Sequence, residues 1–118
     1  MKLFDSELRV MDVLWRSQTD LTAKEIALRL GESVGWNKNT TYTVIKKCIE
    51  KKAIQRLEPN FLCHALVEKE QVQEQEAEEL VNKVFDGSPS LLMASLLNHK
   101  ALSQEEIQRL KDLVDQLK

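Results

Sequence analysis

Apolar residues recur at three- and four-residue spacing through most of this chain, and the pattern switches once, briefly, to a β-prone run. Leu8, Met11, Leu14 and Trp15 share one face of a first helix that Asp5 or Ser6 can cap and that runs to about Arg16. A polar link at 17–20 leads to Leu21. Thr22 and Glu25 then have the spacing of a capping box for a second helix, with Ala23, Ile26, Ala27 and Leu30 inward and an end near Leu30 and Gly31. After residues 31–35, Trp36 can staple the start of a third helix, capped at Asn37 or Asn39 and reaching about Lys51. Val44, Ile45, Cys48 and Ile49 point inward on it. Asn39, Thr40, Tyr42, Thr43, Lys46, Lys47 and Glu50 lie on or near its outer face. Residues 53–57 and 61–67 are β-prone, and Glu58, Pro59 and Asn60 between them suit a tight turn, so a hairpin is expected.

From Glu68 a long acidic helix should run to about Phe85, where Asp86, Gly87, Ser88 and Pro89 stop it. Ser90 can cap a short, very apolar helix over 91–97. Ser103 and Glu106 repeat the capping-box spacing ahead of Ile107, Leu110, Val114 and Leu117, which follow the rhythm of a packing seam. Three helices within about fifty residues cannot close a core alone. A second copy of the chain is the natural complement, with Leu80, Val84, Leu92, Leu96, Ile107, Leu110, Val114 and Leu117 as the expected dimer interface. The fold class is therefore mainly α with a small β-hairpin: a winged helix-turn-helix over residues 1–67, followed by a C-terminal three-helix dimerisation region over 68–118.

Composition supports this reading. With 5% aromatics and only five Gly and Pro together in 118 residues, helix should prevail over sheet. The absence of an apolar run near the roughly 20 residues that cross a bilayer, and of a cleavable leader, points to a soluble cytoplasmic protein without a membrane partner. The net charge of −2 conceals an asymmetry. Residues 1–67 carry 11 Lys/Arg and 8 Asp/Glu, or +3, whereas residues 68–118 carry 6 and 11, or −5. The first part can approach phosphate and the second would be repelled by it. Residues 36–56 concentrate the contrast, with six basic residues against one acid.

A third helix in this fold enters a major groove about one helix wide, while the second helix and the wing rest on flanking phosphates. Thr40 and Thr43 can present hydroxyls and methyls to base edges, and Asn37 and Asn39 either read adenine or cap the helix. Lys38, Lys46, Lys47 and Arg56 suit phosphate, and Tyr42 suits phosphate or sugar. A solvated lysine-rich face is the plain competitor, but hydroxyls in the first helical turn sacrifice helix propensity without return there. The alternative function is a winged-helix protein–protein interaction module that does not touch DNA. Enzymatic activity is not expected: His64, His99 and Cys63 form no evident nucleophile–base set, and no phosphate loop occurs. His64 should occupy a solvated or flanking strand position. Cys48 and Cys63 should stay reduced and serve packing, and neither a metal nor a cofactor is expected.

Residues 4–8 (Phe-Asp-Ser-Glu-Leu), 10–15 (Val-Met-Asp-Val-Leu-Trp) and 21–26 (Leu-Thr-Ala-Lys-Glu-Ile), then Trp36 with Thr40 and Thr43, resemble the penicillinase-repressor family of winged-helix transcriptional regulators. The likeness continues through Phe85-Asp86-Gly87-Ser88 and residues 102–107, so it covers nearly the whole chain. It implies a homodimeric repressor on a pseudo-palindromic DNA operator, controlling β-lactam resistance or cell-envelope stress genes. Recognition-helix positions would fall on Asn37, Asn39, Thr40, Tyr42, Thr43 and Lys47, with Arg56 as the basic residue leading into the wing. The family relieves repression when a sensor-activated protease cuts an Asn-Phe bond in the dimerisation region; the corresponding position here lies near Ser95 and Leu96, a departure from that scissile pair. Three further departures stand out. Lys52 replaces a glycine that ends the recognition helix, the wing is about two residues shorter, and Glu58 stands where the family often has a base.

Overall fold

The computed structural model describes residues 1–99 and 102–117. Among them the order is α1 (Asp5–Ser17), β1 (Leu21–Thr22), α2 (Ala23–Val34), α3 (Lys38–Glu50), β2 (Ile54–Leu57), β3 (Leu62–Ala65), α4 (Lys69–Val84), α5 (Pro89–Asn98) and α6 (Gln104–Asp115). The chain divides into two compact units, Met1–Gln73 and Glu74–Lys118.

In the first unit α1, α2 and α3 pack around one core with the sheet beside them. Met11, Ile26, Ile45 and Ile54 are its largest fully buried apolar side chains, each contributing roughly 2 kcal/mol through loss of water contact. The inward face of α1 is Glu7, Val10, Met11 and Leu14; Leu8 and Trp15 are half-buried at its border. Trp15 uses its ring N–H to hold the Val67 carbonyl at 3.0 Å, fixing the segment that leaves the sheet. The expected hairpin is present, with Arg56 opposite Cys63 and Leu57 opposite Leu62. It gains a third strand: β1 pairs with β3 through Leu21 opposite Cys63, giving the antiparallel order β1-β3-β2. This is the winged-helix arrangement.

Several element ends differ from expectation. Phe4, not Asp5 or Ser6, precedes the first turn of α1, and its N–H is taken by the Glu7 carboxylate at 2.8 Å. A buried acid inside the helix supplies the return half of a capping box, accepting the N–H of the residue that precedes the helix. α2 runs through Gly31 and stops only at Gly35, whose φ of 73° is the left-handed conformation that glycine adopts without a side-chain clash. α5 is capped by Ser88 rather than Ser90, with Pro89 at the first helical position. Thr22 and Glu25 do form the reciprocal capping box. Ser103 caps α6 at 3.1 Å, while Glu106 turns its carboxylate to Arg109 instead.

The second unit is different in kind. Among the described residues from 74 onward none is buried, and Leu80, Val84, Leu96, Val114 and Leu117 are exposed. Leu92, Ile107 and Leu110 are half-buried. A groove of about 400 Å³ is lined by Met93, Leu97, Ile107, Leu110, Lys111, Val114 and Asp115. No helix among the described residues is long and apolar enough to cross a membrane.

Candidate nucleic-acid interface

The interface centres on α3, whose two faces separate cleanly. Thr41, Val44, Ile45 and Cys48 are buried, whereas Lys38, Asn39, Thr40, Thr43, Lys46, Lys47 and Glu50 are exposed. Asn37 is the N-cap. Its Oδ1 accepts the Thr40 N–H at 2.8 Å, which uses its side-chain acceptor and leaves its NH₂ to donate outward. Asn39, the second residue of the helix, is exposed. Thr43 donates its hydroxyl to the Asn39 carbonyl at 2.9 Å, so what it can offer beyond the helix is an acceptor lone pair and a methyl group. Lys46 and Lys47 follow on the same surface.

Tyr42 is half-buried, and its ring lies 6.0 Å from that of Phe61 in the wing. Lys38 Nζ sits 5.6 Å from the centre of the Tyr42 ring. The start of α3 and the tip of the wing are thus joined by aromatic contact. Arg56, exposed on β2, places its guanidinium carbon 3.7 Å from the Phe61 ring centre and its Nε 2.6 Å from Glu58 Oε1. The hydrogen bond from Arg56 holds the Glu58 carboxyl below the usual carboxylate range. The wing cation therefore already has a partner.

At the other end of α3, Lys51 is turned away from the exposed stripe. Its Nζ donates to Glu7 Oε1 and to the Lys2 carbonyl, each at 2.6 Å, and lies 4.0 Å from the Phe4 ring centre. Burial alone would raise the Glu7 pKa. The hydrogen bonds from Lys51 and the Phe4 N–H, with the charges of Lys51 and Lys47, outweigh it and keep Glu7 lowered and ionised. Lys52 ends the helix with φ 63°.

The remaining candidate chemistry is elsewhere. Burial pushes the Cys48 thiol up to about 12 and the Cys63 thiol up to about 11, so both remain protonated packing groups. His64 is exposed on β3 with Nδ1 2.8 Å from Asp20 Oδ1. Among the described residues no group of three or more His, Cys, Asp or Glu side chains is placed to hold a metal ion.

Three features escaped the sequence reading. Thr41 is fully buried with its Oγ1 unpartnered, the Glu7–Lys51 pair ties α1 to α3, and Phe61 stacks under Arg56.

The family model described as penicillinase repressor matches residues 3–116. The methicillin resistance regulatory protein MecI of Staphylococcus aureus (strain N315) is 25% identical over 116 residues, covering 97% of this chain and 94% of that relative. A penicillinase repressor of Bacillus licheniformis is 23% identical over 119 residues, covering 99% and 92%.

Proposed function

Because the chain belongs to the penicillinase-repressor family, we propose that it is a homodimeric transcriptional repressor that occupies a pseudo-palindromic DNA operator and blocks transcription by occupancy. The observation that carries this reading is the exposed stripe of α3, where Asn39, Thr40 and Thr43 lead into Lys46 and Lys47 on a helix whose opposite face is buried. Asn37, Asn39, Thr40 and Thr43 would meet base edges in the major groove; Lys38, Tyr42, Lys46, Lys47 and Arg56 would meet the sugar–phosphate backbone. Residues 1–67 would be the DNA-binding part and residues 68–118 the dimerisation region. The apolar residues left exposed from Leu80 to Leu117 support a second copy as their cover. Names of the relatives support genes of β-lactam resistance as targets; cell-envelope stress genes are the alternative target class. A sensor-activated protease cutting α5 near Ser95 and Leu96 would dissolve the dimer and release the operator, and the protein would act in the cytoplasm.

Selection of bound sequences from random duplexes tests this directly. A two-fold consensus is expected, with half-sites about one helical turn apart. Replacing Thr40 and Thr43 together with Ala should abolish the sequence-specific shift and leave the dimer intact. With three lysines per monomer on phosphate, binding should fall with a log–log salt slope of about −5 per dimer. A flat salt response, or a double-Ala variant that still selects the operator, counts against the assignment. The neutralised wing cation favours a second reading, a protein-docking winged helix, which predicts no enriched duplex at all.

A further inference from the structure

Arg56 is the basic residue through which the wing would grip DNA, yet in the protein without DNA it is already engaged on two sides. We infer that Glu58 is an intramolecular competitor for Arg56: it holds the guanidinium against Phe61, withholds it from phosphate, and so sets how much the wing adds to operator affinity. This rests on the DNA-binding reading above.

The geometry of the wing tip delivers this arrangement. Leu57 pairs with Leu62, so residues 58–61 form the whole connection. Within it Asn60 and Phe61 both take left-handed backbone conformations, φ 69° and 53°, which swing the Phe61 ring beneath the Arg56 guanidinium. Glu58 accepts from Arg56 Nε through Oε1 at 2.6 Å and from the Phe61 N–H through Oε2 at 3.5 Å. Phe61 in turn lies against Tyr42 of α3, so the stacked guanidinium is fixed relative to the recognition helix. A phosphate arriving at Arg56 Nε must replace a carboxylate that matches its charge and is already held in place. Stacking on Phe61 leaves the edge of the guanidinium as its hydrogen-bonding side, and Glu58 engages that edge at Nε and offsets its charge. Both side chains are well exposed, 47% for Arg56 and 62% for Glu58, so the exchange requires no unfolding.

The test compares wild type, Glu58→Gln, Arg56→Gln and the double variant on the selected operator and on an unrelated duplex, between roughly 50 and 200 mM salt. Gln keeps one acceptor oxygen for the Phe61 N–H and replaces the other carboxylate oxygen, with the charge, by an NH₂ that cannot accept from Arg56. Glu58→Gln should tighten binding about 3–10-fold on both duplexes alike, because phosphate carries no sequence information. Its log–log salt slope should steepen by about 1.8 per dimer, about 0.9 for each Arg56 released. In the Arg56→Gln background the same replacement should change affinity by less than about twofold. Wild-type affinity and slope in Glu58→Gln would overturn the inference. An undiminished gain without Arg56 would overturn it too, since Glu58 would then act only as a repulsive charge. Wild type bound to operator with Glu58→Gln unchanged removes this inference alone, whereas failure of wild type on every duplex removes the repressor reading along with it.

Discussion

Lys52 carries a backbone conformation that a lysine adopts only under constraint. The Ala53 N–H reaches the Cys48 carbonyl at 2.9 Å and the Lys52 N–H reaches that of Ile49 at 3.0 Å, the paired bonds of a Schellman end to α3. The residue between helix and strand must then be left-handed, and Lys52 takes φ 63°. Its β-carbon meets a clash that glycine lacks. Lys52→Gly should therefore stabilise the fold by about 0.5–1 kcal/mol, after allowing for the greater freedom of glycine in the unfolded chain, and raise Tm by a few degrees. Thermal melting read by circular dichroism checks this; a lower Tm would mean that the lysine side chain compensates. This position was legible, because the glycine expected there is replaced in the sequence itself. The capping of α1 was not: preference rules look for a polar residue ahead of the helix, whereas Phe4 is satisfied from within by Glu7, an acid that the periodic pattern gives no reason to bury. Thr41 was passed over for a related cause, since a hydroxyl at an inward position breaks the apolar rhythm.

Elements are joined here by charge as well as by apolar packing. The Glu7–Lys51 pair connects the first turn of α1 to the end of α3, and Lys51 also takes the Lys2 carbonyl. Glu7 is 1% exposed, so its carboxylate persists only while these partners stay in place. Its folded pKa is lowered, which means the unfolded chain binds the proton more readily. The stability it contributes is fully present above the ordinary carboxylate range and is lost as pH falls through the folded value. Glu7→Gln should cost about 1–3 kcal/mol at neutral pH and progressively less as pH falls below the ordinary carboxylate range and wild type loses the same charge. Urea unfolding across that pH series measures this, and an equal loss throughout would remove the charge from the explanation. Element types were readable because the hydrophobic periods are long and consistent in α1, α2 and α3. β1 was not, since two residues are too few to display alternation and Leu21 is a strand only because β3 lies beside it. The end of α2 was misplaced by one glycine: Gly31 sits inside the helix and Gly35 has the conformation that stops it.

The two halves of the molecule hide their apolar residues differently, and this leads to the last prediction. Residues up to 73 enclose a core, whereas from residue 74 onward no described side chain is buried. Val114 is 64% exposed beside Leu110 and Ile107 in the groove, and Leu117 is 80% exposed. Such a surface is stable in water when another apolar surface covers it. The net charge of −5 over residues 68–118 makes DNA an unsuitable cover, and the proposed dimer would supply a second copy instead. Val114→Asp adds a charge where the single chain leaves room for it, so the core of the first unit should melt as before. In the dimer the same charge would be buried without a partner. Sedimentation at micromolar concentration should then give the monomer mass where wild type gives the dimer. Operator affinity should fall by about 100-fold or more, because the second half-site no longer binds as an intramolecular event. A variant that still sediments as a dimer would place the interface on another face of α4, α5 or α6. A monomer that holds the operator as tightly as wild type would mean that one α3 suffices for recognition.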